Sequence, residues 1–195
     1  MLRSTERILT THVGSLPRAP ELGRMLAAEE WGEKVDRREL TRLKEEGVRA
    51  IVRRQRDAGI DIGNDGEQTR VSYVTYVPVR MKGFGGESRR PAARDLVDFP
   101  EVAERARLTH AALTDIKPRT FVAPKALGPV RYDDFGDIAE ECAMFKRALA
   151  ENGQPFRECF MTAASPGVVA FVMENAHYDS HEAYVFALAR EMRKE

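Results

Sequence analysis

The sequence predicts an α/β fold built on a parallel sheet, with about four β/α units in a single domain spanning residues 1–195. Three observations predict it. Short apolar or β-branched runs recur at 7–13, 60–65, 119–132 and 157–172. Stretches with helical spacing lie between them, and the runs give way to glycine or polar turns at their C-terminal ends.

The first run, "RILTTHVGS", is rich in β-branched residues and ends at Gly14, with "LPR" closing the strand. From Asp36 the period changes. Leu40, Leu43, Gly47, Ile51, Gln55 and Ala58 share one helical face, Asp36 with Glu39 forms a capping-box signature, and Gly59 marks the stop. This helix feeds at once into "IDIGNDGEQTR" (60–70), where Ile60 and Ile62 alternate against polar neighbours. A strand, a helix and a second strand within so short a stretch imply a parallel pair with a crossover.

Residues 72–98, with "KGFGGES" and "RRPAARD", read as a long loop excursion with little regular structure, followed by a helix over about 100–114. A third strand is expected within 119–132, interrupted by Pro124 and Pro129. A helix follows over 137–151, with Ile138, Cys142, Phe145 and Leu149 on its inner stripe. "RECFMTAASPGVVAFV" supplies a fourth strand that ends near the Ser165-Pro166-Gly167 turn. The last helix opens with Asp179 and Glu182 in capping-box register.

Composition narrows the function classes. With 31 basic residues balancing 31 acidic ones, the formal charge of zero provides no concentrated positive field, so neither nucleic acid nor an anionic membrane is an expected partner. The helical "RRQR" at 53–56 fans its charges around a solvated face, and "GFGG" at 83–86 lacks the flanking strand and helix of a phosphate loop. Two cysteines, Cys142 and Cys159, with no CxxC or HExxH spacing, argue against a disulfide framework or a local metal knuckle. No apolar run is long enough for a signal peptide or a bilayer span, and a reducing cytoplasm is the expected location.

In a parallel α/β sheet, ligands collect at the C-terminal ends of the strands. Asn64, Asp65 and Glu67 stand there, as do Gly14, Ser15 and the 165–167 turn. His12 ends the first strand, as either a ligand-facing group or a hydrogen-bonded structural residue. Arg70 is placed to contact an anion or to pair with a nearby carboxylate, and Asn175 and Tyr178 are candidates for the same mouth.

The ordered set "TTHVGSLPR", "AGIDIGNDGEQTR", "ASPGVV" and "YDSHEAY" resembles the cobalamin-independent methionine synthase family, in particular its catalytic domain. The resemblance implies a (β/α)8 TIM-barrel fold, of which this sequence carries the N-terminal half. It also implies methyl transfer from a folate carrier to the zinc-bound thiolate of homocysteine, a 5-methyltetrahydropteroyltriglutamate-homocysteine methyltransferase-type reaction. By that resemblance Val13, Gly14 and Ser15 hold the carboxylate of a thiol amino acid, with His12 beside them, and Glu67 accepts its ammonium. Arg119 and Thr120 are the nearest counterparts of the folate contacts. The family's stacking tryptophan falls near Phe171–Met173, whereas the tryptophan of this sequence is Trp31.

The family's zinc ligands come from the second half of the barrel and have no counterpart here; neither Cys142 nor Cys159 is assigned as one. No metal site and no catalytic residue is therefore expected within this sequence. A half-barrel leaves sheet edges and an inner face uncovered, so a C-terminal half, a partner chain or a second copy is expected to close it. Two other readings stand beside methyl transfer. One is a non-catalytic half-barrel that binds a ligand or assembles; the other is a related zinc-dependent thiol alkyltransferase of the epoxide-to-coenzyme M type, whose sulfonate substrate would give Glu67 no ammonium.

Overall fold

A computed structural model describes residues 2–88, 94–113 and 123–195, the side chains of 106, 107 and 109–113 excepted. Its frame is a small parallel sheet. Strand β1 (Ile62–Gly63) pairs with β4 (Glu158–Cys159) in the register Ile62 to Glu158 and Gly63 to Cys159. On the other side of β1, Thr11 forms a parallel bridge with Ile62, and the Asp61 and Ile62 amides both donate to the Thr10 carbonyl at 3.1 Å. The first, second and fourth predicted strands are therefore neighbours, with β1 in the middle. Their regular pairing is shorter than the apolar runs implied.

The crossover between the first two strands is made by α2 (Arg37–Asp57). Asp36 caps it by accepting from the Arg38 and Glu39 amides at 2.9 and 3.2 Å. Its inward face buries Leu40, Leu43, Val48, Ile51, Val52 and Gln55. The pattern ends at Gly59, whose φ of 73° is the left-handed conformation of a helix stop. Before it stands a helix that the sequence reading did not assign, α1 (Pro20–Glu30). Ala19 provides no capping side chain, and the start is marked only by proline in the first turn. Leu22 and Leu26 of α1 pack on Leu40 and Leu43, and the approach is close at Gly47, where a Cβ would lie 3.1 Å from Leu22 Cδ2.

The stretch 72–98, expected to hold little regular structure, contains α3 (Val77–Arg80), β2 (Met81–Gly85) and α4 (Arg94–Asp98), with α5 (Pro100–Leu113) following. The third predicted strand, β3 (Lys125–Tyr132), does not join the parallel sheet. It pairs antiparallel with β2, with Met81 opposite Tyr132 and Gly85 opposite Lys125. A bulge between Lys82 and Phe84 makes this ribbon possible. Gly83 sits there with φ 97°, and a Cβ on it would lie 2.5 Å from the Pro129 carbonyl oxygen. Proline opposite a bulge removes a ladder donor where the ladder is already broken.

Helix α6 (Gly136–Glu151) packs Phe145, Ala148 and Leu149 on Val48 and Val52 of α2. Its buried stripe also takes in Glu141 and Met144, so it is rotated from the predicted one and leaves Ile138 and Cys142 half-buried. The fourth predicted strand is paired only over Glu158–Cys159, and at the expected Ser165-Pro166-Gly167 turn the chain enters α7 (Pro166–Val172), where the Ser165 hydroxyl accepts from the Val168 amide. The cap of α8 (His181–Met192) is Ser180, not Asp179: its hydroxyl accepts from the Ala183 amide at 3.0 Å. Val169, Met173, Tyr184 and Leu188 of this helical pair pack against Met81, Val130 and Tyr132 of the ribbon in one apolar cluster.

Glu141 is turned inward because two arginines meet it. Arg70 donates to Oε2 through Nη2 at 2.8 Å and Nε at 3.1 Å, Arg80 Nη2 lies 2.6 Å from Oε1, and the Thr69 hydroxyl donates to Oε1 at 2.8 Å. Arg80 also holds Glu195 at 2.8 Å, and the Tyr132 hydroxyl donates to the same carboxylate at 2.7 Å. Both guanidiniums also lie over the Tyr76 ring, that of Arg70 at 4.3 Å and that of Arg80 at 4.6 Å from its centroid.

Two predictions follow from the packing and the charges. A Cβ at Gly63 would lie 2.2 Å from the Phe156 ring, so Gly63→Ala should destabilise the fold by about 1–3 kcal/mol in urea titration, with partial recovery in combination with Phe156→Ala. Burial raises the Glu141 carboxyl pKa, but the Arg70 hydrogen bond and the charges of Arg70 and Arg80 more than offset this and leave it below the ordinary glutamate value. A carboxylate depressed on folding contributes stability above its unfolded pKa, and that stability is lost as pH falls through the folded pKa. Glu141→Gln should therefore cost about 3–5 kcal/mol at neutral pH and flatten the decline of stability in acid, as read from urea midpoints across pH.

Candidate ligand site at Ser15 and Glu67

The loop after β1 is built to turn Glu67 inward. Gln55 on the inner face of α2 clamps Asn64 from both sides: the Asn64 amide donates to Gln55 Oε1 at 3.2 Å, and Gln55 Nε2 donates to the Asn64 carbonyl at 2.7 Å. The Asn64 side chain then ties two segments together, donating from Nδ2 to the His12 carbonyl and accepting from the Gly66 amide at 2.8 Å. Gly66 and Glu67 are both left-handed, with φ of 61° and 54°. Gly66 has no alternative, since a Cβ there would lie 2.8 Å from Ile51 Cγ2. Glu67, with a side chain, is strained in this conformation, by about 1–3 kcal/mol.

The bend at Gly14, with φ 97°, brings Ser15 against this loop. The Leu16 amide donates to the Gly66 carbonyl at 3.0 Å, and Gln68 Nε2 donates to the Leu16 carbonyl at 2.9 Å. Between the two loops lies the Glu67 carboxylate, 3% exposed, with each oxygen taken by a hydroxyl: Ser15 donates to Oε2 at 2.5 Å and Thr162 to Oε1 at 2.8 Å. Arg18 Nη2 donates to the Glu67 carbonyl and lies 3.5 Å from Ser15 Oγ. No ion pair joins Glu67 to a described residue.

The predicted site residues thus separate. Gly14, Ser15 and Glu67 are brought together. His12 is spent locally, its Nε2 lying 3.1 Å from the Gly14 carbonyl oxygen, and Val13 exposes its side chain and leaves only main chain to the bend. Arg119 and Thr120 lie outside the described residues. Arg70 pairs with Glu141 and donates from Nη1 to the Thr162 carbonyl at 2.7 Å, so it supports the site from behind. Tyr178 and Asn175 do not line this mouth: the Tyr178 hydroxyl accepts from the Val130 amide at 2.8 Å, and Asn175 Nδ2 donates to the Tyr178 carbonyl at 2.8 Å, joining the ribbon to the start of α8.

Thr162 and Arg18 were missed by the sequence reading. Thr162 follows β4 as Glu67 follows β1, and the same rule about strand C-termini could have found it. It borders a cavity of about 520 Å³ whose wall also includes Met161, Ala164, Cys142 and Met192. Burial pushes the Asp65 carboxyl up and pulls the Arg18 guanidinium down from its ordinary value, so the loop around Glu67 is poorly solvated. The described residues do not fit a zinc site. No three His, Cys, Asp or Glu side chains among them are grouped to hold a metal ion; Cys142 Sγ lies 3.7 Å from Met161 Sδ, and Cys159 is exposed. No described helix is long and apolar enough to cross a membrane.

Residues 8–111, more than half of the chain, match the family described as cobalamin-independent synthase, catalytic domain. Among solved structures the chain is similar to a B12-independent methionine synthase from Shewanella sp. W3-18-1 in complex with selenomethionine, with a TM-score of 0.62 and 24% identity over 95% of this chain and 46% of that one. It is also similar to a putative vitamin-B12 independent methionine synthase from Listeria monocytogenes, with a TM-score of 0.59 and 18% identity over 96% of this chain and 48% of that one. The chain spans about half the length of these two structures, and no curated protein matches it. Together with the α/β half-barrel frame, the family match shows that the chain belongs to the cobalamin-independent methionine synthase catalytic-domain family.

Proposed function

We propose that this chain forms the amino-acid-binding part of a methionine-synthase-type methyltransferase site. Glu67 receives the ammonium of a thiol amino acid, homocysteine in the family's reaction, and the Gly14–Ser15 bend receives its carboxylate. One observation carries the reading: a buried carboxylate whose hydrogen-bond partners are both neutral hydroxyls, Ser15 and Thr162, at the C-terminal ends of parallel strands. A desolvated anion that no described cation pairs directly is costly, and a ligand ammonium would repay that cost through a charge-assisted bond. The two hydroxyls occupy one lone pair on each oxygen, which leaves acceptor capacity on both.

The Shewanella relative's selenomethionine is an amino acid with the same pair of charged ends. In the family the methyl group comes from a folate carrier, and zinc supplies thiol activation. The described residues of this chain do not fit that metal. Their part is to capture the amino acid and orient it, Glu67 at the ammonium and the glycine bend at the carboxylate, where bulk near the backbone would block approach.

Glu67→Gln keeps the shape and both hydroxyl partners but removes the charge. It should weaken homocysteine binding by about 10- to 100-fold in isothermal titration, the share of a hydrogen bond to a charged group. Sulfanylbutanoate, which lacks the amino group, should bind the two proteins alike. Thr162→Val should weaken homocysteine by a smaller factor, about 5-fold, by freeing one carboxylate oxygen to turn. Homocysteine binding that survives Glu67→Gln unchanged would refute the reading.

A further inference from the structure

Ser15 cannot serve both ends of the ligand with one proton. Its hydroxyl already donates to Glu67 Oε2 at 2.5 Å, so toward a ligand carboxylate the bend offers main-chain donors and no positive charge. A carboxylate placed beside the buried Glu67 and Asp65 would face repulsion there, and it needs a cation of its own. The cation at this bend is Arg18. Nη2 reaches the Glu67 main-chain oxygen and stands 3.5 Å from Ser15 Oγ, while Nε is buried with no hydrogen-bond partner. Neither Glu67 nor Asp65 accepts a side-chain hydrogen bond from it, although both charges act on it; desolvation outweighs them and pulls the guanidinium below its ordinary pKa. A half-buried guanidinium with unspent donors is shaped for a planar, two-oxygen anion.

We propose that Arg18 is the cationic anchor for the carboxylate end of the amino acid, and so a specificity-determining residue of this site. It sets, with Glu67, the distance between the two charges that a ligand must carry, and it selects α-amino acids over simple amines. The assignment rests on the amino-acid-binding reading given above. Its rival is a purely structural role in which Arg18 only props the strained Glu67 backbone through the main-chain oxygen.

Three ligands separate these roles: homocysteine, its decarboxylated analogue aminopropanethiol, and its deaminated analogue sulfanylbutanoate. In Arg18→Gln, isothermal titration should show homocysteine and sulfanylbutanoate weakened by about 10- to 100-fold and aminopropanethiol within about 2-fold of wild type. Arg18→Lys, which keeps the charge without the planar fork, should recover part of the loss. Equal losses for all three ligands would reduce Arg18 to a prop, and no loss for either carboxylate would overturn the proposal, as would a wild-type chain that binds neither. Failure of the Glu67 reading looks different: Glu67→Gln would then leave homocysteine unchanged while the effect of Arg18→Gln on sulfanylbutanoate persisted.

Discussion

Glu141 is the residue on which the rest of the structure turns. Its carboxylate is shared by Arg70 and Arg80, and each arginine spends its remaining donors on a different part of the chain. Arg80, at the end of α3, reaches Glu195 beyond α8, and Tyr132 of the ribbon donates to the same carboxylate. Arg70 reaches the Thr162 carbonyl, and the Thr162 hydroxyl in turn reaches Glu67. A buried pair of this kind adds little net stability compared with apolar packing, yet removing one member leaves a stranded charge. Its value lies in geometry: it allows one relative placement of α6, the loop after β1 and the loop after β4.

That placement converts a short sheet into a site. Only a few residues pair in each parallel strand, so the strands alone could not hold their C-terminal loops in register. Side chains take over the task. Gln55 clamps Asn64, Asn64 holds the His12 carbonyl, and Gln68 holds Leu16. The first ties α2 to the end of β1, the other two cross from one strand end to the next, and each is made by a side chain buried enough that water cannot compete well for it. The polar run "NDGEQTR" is therefore largely interior, the reverse of what a loop between strand and helix usually is.

The sequence was most informative where a strong local signal sets the structure, and it failed where that signal was weak, as at α1, whose start has no capping side chain. Asp36 and Gly59 frame α2 because a cap and a left-handed stop act within a few residues, and the alternation before Asn64 marks β1 for the same reason. The family pattern led to Gly14, Ser15 and Glu67, which meet. Much of the rest that remained hidden depends on partners far along the chain. The ribbon of β2 and β3 requires Gly83 to accept Pro129 closely, and nothing near "KGFGG" announces the strand it will pair with. The inward turn of Glu141 needs Arg70 and Arg80, so helical spacing alone placed the buried stripe of α6 wrongly. Arg18 and Thr162 carry no motif, and they acquire meaning only when two loops from opposite ends of the chain come together.

Glu67 occupies a conformation that glycine would adopt at no cost, next to a glycine that already does. Selection for thermal robustness alone would thus push this position toward glycine, relieving backbone strain of about 1–3 kcal/mol while erasing the carboxylate. Under the proposed ligand role an acid at this position exchanges durability for binding, and its presence or loss among descendants of this chain would report which of the two was under selection.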